Sequence, residues 1–387
     1  MNRVFSRAGR IPGIALVVIM LITGLAALAG CAADHEDNRF LDLLSLMPAS
    51  AADTGGFVLI DYDGYCRVND IPRVLTNGRR LDRDEFLDVL VQRITDEAAD
   101  HRELTLSSVY SGWDYFMLIT PVRKQSVGYD LTDVRAEIHN LYLPYDVGPS
   151  TFTADPAAAR FGLIGSFDAA ATTQALQNRE NWPDWARSAY AATDYEGVTV
   201  HSWGSLEEHP DDRLSPPLVD LTGRARPLTV SGDSLLLAGS VPDVQALLDA
   251  HAGRSPSLED LPEYTLLAEG LYELDARTVA VMAGERLVVG PHAVDAPLRH
   301  FLTVGMGYGE DENGSYVALV LVHENGDLAR ENIALLEARL GEPSYRDVVT
   351  DASVTSEGRV LLARLYTADD TLWFSMYKQQ RDLLVHE

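Results

Sequence analysis

Four kinds of side chain in this sequence could do chemistry: two thiols, one serine in a marked setting, ten histidines and a pair of aspartates. The thiols are Cys31 and Cys66, and the serine is Ser234. Either type becomes a nucleophile only with a base within hydrogen-bond reach, and no base is spaced to serve them. The ten histidines include no pair at i, i+3 or i, i+4, the spacing that a helical zinc site requires. Asp61 and Asp63 in "DYDGY" open like a calcium loop. The later oxygen ligands and the closing glutamate are missing, so this stretch reads as a strand end. No phosphate-cradling loop of the Walker or dinucleotide type occurs. The expectation is therefore of no catalytic residue, no metal ligand and no cofactor.

Ser234 needs a closer look, because Gly232-Asp233-Ser234-Leu235 resembles the signature string of a serine hydrolase family. In that family the serine leads from a strand into a helix near the start of the domain. Here it opens the apolar run "SLLLAGS" far down the chain. The family's Gly-x-Asn-Asp block is absent, and Asp295 and His300 are wrongly spaced for its Asp-x-x-His pair. As a turn, "SGDS" explains itself through its Gly and Asp. Cys66 in "DYDGYCRVND" reads as a small apolar residue beside a strand. A hydrolase using Ser234 or Cys66 is kept as the alternative from the enzyme class.

A second chemistry is recognition by aromatic rings. "NWPDWARSAYAATDY" places Trp182, Trp185, Tyr190 and Tyr195 in a loop-helix stretch. Exposed rings of this kind could form a platform for a glycan or an envelope protein partner. They could equally pin a long connection onto the core, and both readings stay open.

The elements that position these residues follow from hydrophobic period and turn chemistry. "FLDLLSLM" (40–47) predicts a short helix stopped by Pro48, and "FVLIDYD" (57–63) a strand. Phe86, Leu87, Leu90, Val91 and Ile94 share a helix face, two strands follow at 108–111 and 115–120, and 130–142 reads as a helix. "RFGLIGSF" predicts a strand, with Asp168 capping a helix that runs to about Asn181. "GVTVHSW" is a strand, the proline-bearing 204–226 a loop, "PLTVSGDSLLLAGS" a hairpin, and Ser240 caps "VPDVQALLDAHAG". Around "DENG" two strands form a hairpin, because Asn-Gly tolerates the positive φ of tight turns. Helices open at Gly326-Asp327 and at Asp370, with strands near 352–354 and 359–366 between them. The succession predicts an α+β fold of repeated β-β-α units, forming antiparallel sheet covered by helices on one face. Gly and Pro cluster in 145–156, which suggests units at 40–150 and 151–387, with one continuous domain over 40–387 as the alternative.

The N-terminus carries the strongest pattern. Arg3, Arg7 and Arg10 precede Ile11–Leu28, which holds no charge. A basic head, an apolar middle and small residues at the end make an export signal. Its end, Leu28-Ala29-Gly30-Cys31, resembles the lipobox of bacterial lipoproteins. That resemblance implies cleavage after Gly30 and a diacylglyceryl group on the Cys31 sulfur, with palmitate-type acyl chains as the anchor. Residues 1–30 would then be the signal peptide and 31–39, with its polar "AADHEDNR", a tether. Ala32 rather than Asp after the cysteine is similar to proteins sent to the outer membrane of two-membrane bacteria. Repeated strand-helix units, "SLEDLPEYTLLAEGL" and "ARENIALLEARL" are similar to an exported bacterial family of unknown function, which lends no activity.

Charge narrows the classes further. With 58 acidic against 31 basic residues the net charge is −27, which repels nucleic acid and anionic headgroups. The expectation is an acidic lipoprotein held on the extracytoplasmic side of the cell membrane or outer membrane. It would bind or scaffold a partner there without catalysis. A carrier of lipid or another small ligand is a further alternative.

Overall fold

In the computed structural model, residues 38–54, 56–64, 126–129, 133–140, 159–180, 182–204, 225–284, 297–367, 382–384 and 386 are described. The expected helices at 81–100 and after Asp370, the strands at 108–120, Cys31 and Cys66 lie outside them. Among the described residues, twelve strands form a single sheet in which each neighbouring pair is antiparallel. It belongs to a unit spanning Arg39–Glu387.

One half of the sheet begins with a short helix, α1 (Arg39–Ser45), and a meander of β1 (Gly56–Asp61), β2 (Val134–Asn140) and β3 (Arg160–Gly165). Two helices follow, α2 (Ala169–Gln177) and α3 (Asp184–Ala189). The chain then returns through β4 (Ala191–Tyr195), β5 (Val198–Ser202), β6 (Leu228–Ser231) and β7 (Ser234–Ala238), the last lying against β3. Helices α4 (Val241–His251) and α5 (Pro262–Glu273) lead into the other half. This is a second meander, β8 (Thr278–Ala283), β9 (Thr303–Asp311) and β10 (Gly314–Val322), then α6 (Gly326–Leu340) and α7 (Pro343–Arg346). The hairpin of β11 (Val349–Glu357) and β12 (Val360–Thr367) closes it, with β12 against β10. The halves join through β1 and β8, giving the order β11-β12-β10-β9-β8-β1-β2-β3-β7-β6-β5-β4. Because β2 pairs with β3, the sheet is continuous across residues 145–156.

Side-chain alternation divides each central strand between two cores. Phe57 and Leu59 of β1, Val279 and Val281 of β8, and Ala318 and Val320 of β10 face one core with α1, α4 and α5. Val58 and Ile60 face the opposite side, where Leu176 of α2 and Ala186 of α3 cover one end. On that side Ala280, Leu319 and Leu321 meet Leu336 of α6 and Tyr345 of α7. Each fully buried Leu or Val side chain there contributes about 1.5–3 kcal/mol. Helices thus cover both faces, which corrects the one-face expectation. A strand with apolar residues on both faces needs a cover on each.

The local chemistry behaves as the sequence predicts at several ends. Asp168 caps α2 by accepting from the amides of Ala170 and Ala171. Ser240 caps α4 through the Asp243 amide. Asp311 pairs with Gly314 across the Glu312-Asn313 turn. By contrast, 134–140 is a strand and not the expected helix, and the helix opened by Asp168 ends at Gln177.

Candidate functional site

Trp182 and Tyr190 bracket α3 and come together beneath it, their rings edge to face at 5.5 Å. Trp203, just beyond β5, completes the cluster at 5.9 Å from Trp182 and 5.5 Å from Tyr190. The Arg179 guanidinium lies over the Tyr190 ring, 4.1 Å from its centroid. Such stacking in a partly desolvated setting stabilises by about 1–2 kcal/mol. Trp182 is only 3% exposed, so it cannot offer a face to a glycan. Trp185 is half-buried against the same core. Tyr195 sits on the opposite side of the sheet, where its hydroxyl donates to Asp249 Oδ2 at 2.9 Å. The four aromatic residues therefore do not form one exposed platform. Trp182 and Tyr190 pin the α2–β4 connection to the core.

The cluster positions a histidine that sequence reasoning did not single out. His201 lies on β5 between Val200, which faces the other core, and Ser202. Its ring stacks beside Tyr190 at 6.1 Å, with the Tyr190 hydroxyl 2.9 Å from Nδ1. Burial pushes the His201 pKa down to about 4, and the ring is neutral at pH 7. Burial also raises the Tyr190 pKa, against the opposing charge of Arg179, so the phenol keeps its proton.

His201 is one of the residues lining a cleft of 240 Å³ under the first half of α2. Thr199 and His201 of β5 and Val230 of β6 line the cleft from the sheet, and Ala169, Thr172 and Thr173 line it from the helix. The turn at Glu196 and Gly197, with φ of 52° and 82°, joins β4 to β5 at the cleft's edge. Two consecutive positive φ values are what a two-residue hairpin of this hand demands. Gly128, at φ +85°, lets the 126–129 segment lie directly on α2, since a Cβ there would come 2.5 Å from the Thr172 Cα. The helix is thereby fixed from behind.

Near the cleft, some buried polar atoms are left unmatched. Thr172 is 1% exposed and its Oγ1 has no hydrogen-bond partner. The indole Nε1 atoms of Trp182 and Trp203, in the adjoining cluster, are likewise buried without one. Buried polar groups left unmatched are expensive and uncommon. Among the described residues the lining holds no charged side chain. The alternation of Thr199, His201 and Trp203 along "GVTVHSW" was a usable signal for one wall. Nothing in the sequence marked Thr172.

The other residues considered from sequence have structural partners. Ser234 starts β7, is buried, and donates to Asp233 Oδ1 at 3.3 Å beside a turn made by Gly232 at φ 62°. Asp63 accepts from Arg39 at 2.7 Å and from Arg135 at 3.0 Å, and Asp61 Oδ1 accepts from the Gly64 amide at 2.9 Å. Among the described residues no group of three or more His, Cys, Asp or Glu is placed to hold a metal ion. Nor is any described helix long and apolar enough to cross a membrane.

No family model and no curated protein matches the chain. Among solved structures it is similar to crystal forms of TP0453. Form I is 13% identical with a TM-score of 0.36, covering 87% of this chain and 97% of that one. Form III is 12% identical at 0.39 over the same shares, and form IV 12% identical at 0.36 over 85% and 96%.

Proposed function

We propose that this chain is a lipoprotein of the cell envelope, anchored through Cys31, whose extracytoplasmic body binds a ligand in the cleft beneath α2. The anchor rests on Leu28-Ala29-Gly30-Cys31 after a charge-free apolar run and three arginines. Several acyl chains hold a protein firmly where one would bind only marginally.

The observation that carries binding is the 240 Å³ cleft, whose described lining includes Thr172, Thr173, Thr199, His201 and Ser231. The Tyr190 hydroxyl already engages one ring nitrogen of His201, at 2.9 Å from Nδ1. With a pKa of about 4 the ring is also a weak base. Ser234, bonded to Asp233 within a hairpin, supports the same reading.

The fold is read here as repeated β-β-α units. The successions β2-β3-α2, β6-β7-α4 and β9-β10-α6 support it, with α2 and α6 on one face and α4 on the other. A partner among envelope proteins or glycans fits a body tethered at a membrane.

The anchor is tested by intact-mass measurement and fractionation. The native chain should begin at Cys31, carry acyl mass and stay with membranes, whereas Cys31→Ser should abolish both modification and retention. A native chain that keeps residues 1–30 would refute the anchor.

A further inference from the structure

We infer that the tip of the β9–β10 hairpin is a site of spontaneous deamidation, in which the Gly314 amide nitrogen displaces ammonia from the Asn313 side chain. This modification is independent of the cleft and of the anchor.

Two stretches share a local sequence, Glu312-Asn313-Gly314 and Glu324-Asn325-Gly326, and both asparagines are exposed. A third Asn-Gly, Asn77-Gly78, lies outside the described residues. In each pair the glycine lacks the Cβ that would hinder ring closure. They differ in what the fold does with the carboxamide. Asn325 caps α6, its Oδ1 accepting from the Asp327 amide at 3.0 Å and the Leu328 amide at 3.1 Å. To react it must turn away from both, and giving up a cap of ordinary strength slows the step by about fivefold. Gly326 is also packed, since a Cβ there would come 2.6 Å from the Gly358 carbonyl oxygen. At Asn313 it is the backbone amide that is held, donating to Asp311 Oδ1 at 2.8 Å. The carboxamide approaches the Asp311 carboxylate and the Tyr366 hydroxyl, which already bond to one another at 2.8 Å, so it can leave them at little cost. Gly314 sits at φ +120°, and no described atom lies within 4 Å of where its Cβ would be.

The steps need only water and hydroxide. Hydroxide takes the Gly314 amide proton, the nitrogen bonds to Asn313 Cγ, and the Cγ–Nδ2 bond breaks as ammonia leaves with a proton from water. The cyclic imide then takes up a water molecule and opens to an α- or β-linked aspartate. The tip gains a negative charge beside Asp311 and Glu312, and the β-linked product lengthens its backbone by a carbon.

Ageing the full-length chain in detergent and mildly alkaline buffer, both folded and in concentrated guanidinium chloride, tests this. Cleavage after Glu312 and Glu324 places Asn313 and Asn325 on separate peptides, whose conversion mass spectrometry follows. In the folded chain Asn313 should convert at least about fivefold faster than Asn325. In denaturant the cap is gone, and the two matched sequences should convert at similar rates. Equal rates in the folded chain, or faster conversion at Asn325, would overturn the site. So would an Asn313 that stays intact when folded over the period in which the unfolded chain reacts. A preference for Asn313 that persists undiminished in denaturant would belong to the local sequence and overturn the structural assignment.

Discussion

His201 and His323 occupy the same side of the sheet, one in each half. Both are almost inaccessible, at 2% and 0% exposure. Desolvation pushes both pKa values down to about 4. What differs is the use of the two ring nitrogens. His323 Nδ1 donates to the Arg359 carbonyl at 3.2 Å, and Nε2 accepts from Asn332 Nδ2 at 2.7 Å. Asn332 is itself fixed, accepting from the Arg299 amide at 2.6 Å and donating to the Arg299 carbonyl at 2.9 Å. Each donor there meets an acceptor, and the ring is sealed between α6 and the β12 side of the sheet. His201 spends only Nδ1 on the protein, and its neighbours Thr172, Trp182 and Trp203 keep unmatched polar atoms. Burial and a depressed pKa therefore do not mark a functional histidine by themselves. What separates the two rings is the unmatched polar atoms of Thr172, Trp182 and Trp203 near His201.

The largest effect should come from breaking the closed network. Asn332→Leu keeps the volume but removes the bonds that Asn332 makes to the Arg299 amide and carbonyl and to His323 Nε2. Loss of these bonds, one to a buried ring and two to part-buried backbone groups, should cost about 3 kcal/mol of stability in urea unfolding. A loss under about 1 kcal/mol would show that His323 is held no more tightly than His201, and the contrast would collapse.

Acid should act on both histidines alike, and so sharpen what is common to them. Each carries a folded pKa of about 4 against an unfolded value of 6.5. Below 6.5 the unfolded chain takes up protons that the folded chain refuses, so stability present above 6.5 is lost as pH falls toward 4. The loss is on the order of 2 kcal/mol per ring after allowance for residual screening. For His323 the reason is geometric as well. A proton on Nε2 would face the Asn332 amide, which cannot turn over without giving up both bonds to Arg299. In ring-resonance titrations both midpoints should lie near 4, and a midpoint near 6.5 for either would separate them.

How far this was readable from the sequence depended on whether local chemistry or long-range pairing decided the outcome. Asp168 and Ser240 were legible as caps, because a cap needs only its own turn. The stretch 130–142 reads as a helix from sequence, but 134–140 is a central strand buried on both sides. No alternation survives in such a strand, and period alone cannot tell it from a helix. Strand β8, "TVAVMA", passed unnoticed for the same reason. Trp182 and Tyr190 stood out as aromatic residues. Their burial, and the arrival of His201 and Trp203 beside them, depend on β5 pairing with β6 some 25 to 30 residues further on, and local sequence does not encode that.

Thr172→Val is expected to have the smallest effect on stability and the one most specific to the open network. In a satisfied core, replacing a buried hydroxyl with a methyl costs about 1 kcal/mol or more, because a bond is lost and its partner is stranded. Thr172 Oγ1 has no partner to strand, and its backbone amide already donates to the Asp168 carbonyl at 2.9 Å. The methyl also removes the cost of keeping a dry hydroxyl. Urea unfolding without ligand should therefore change by less than about 0.5 kcal/mol, or shift toward greater stability. A loss above 1 kcal/mol would mean that the hydroxyl is already satisfied in the free protein, as Asn332 is, and the difference between the two histidine surroundings would lose its footing.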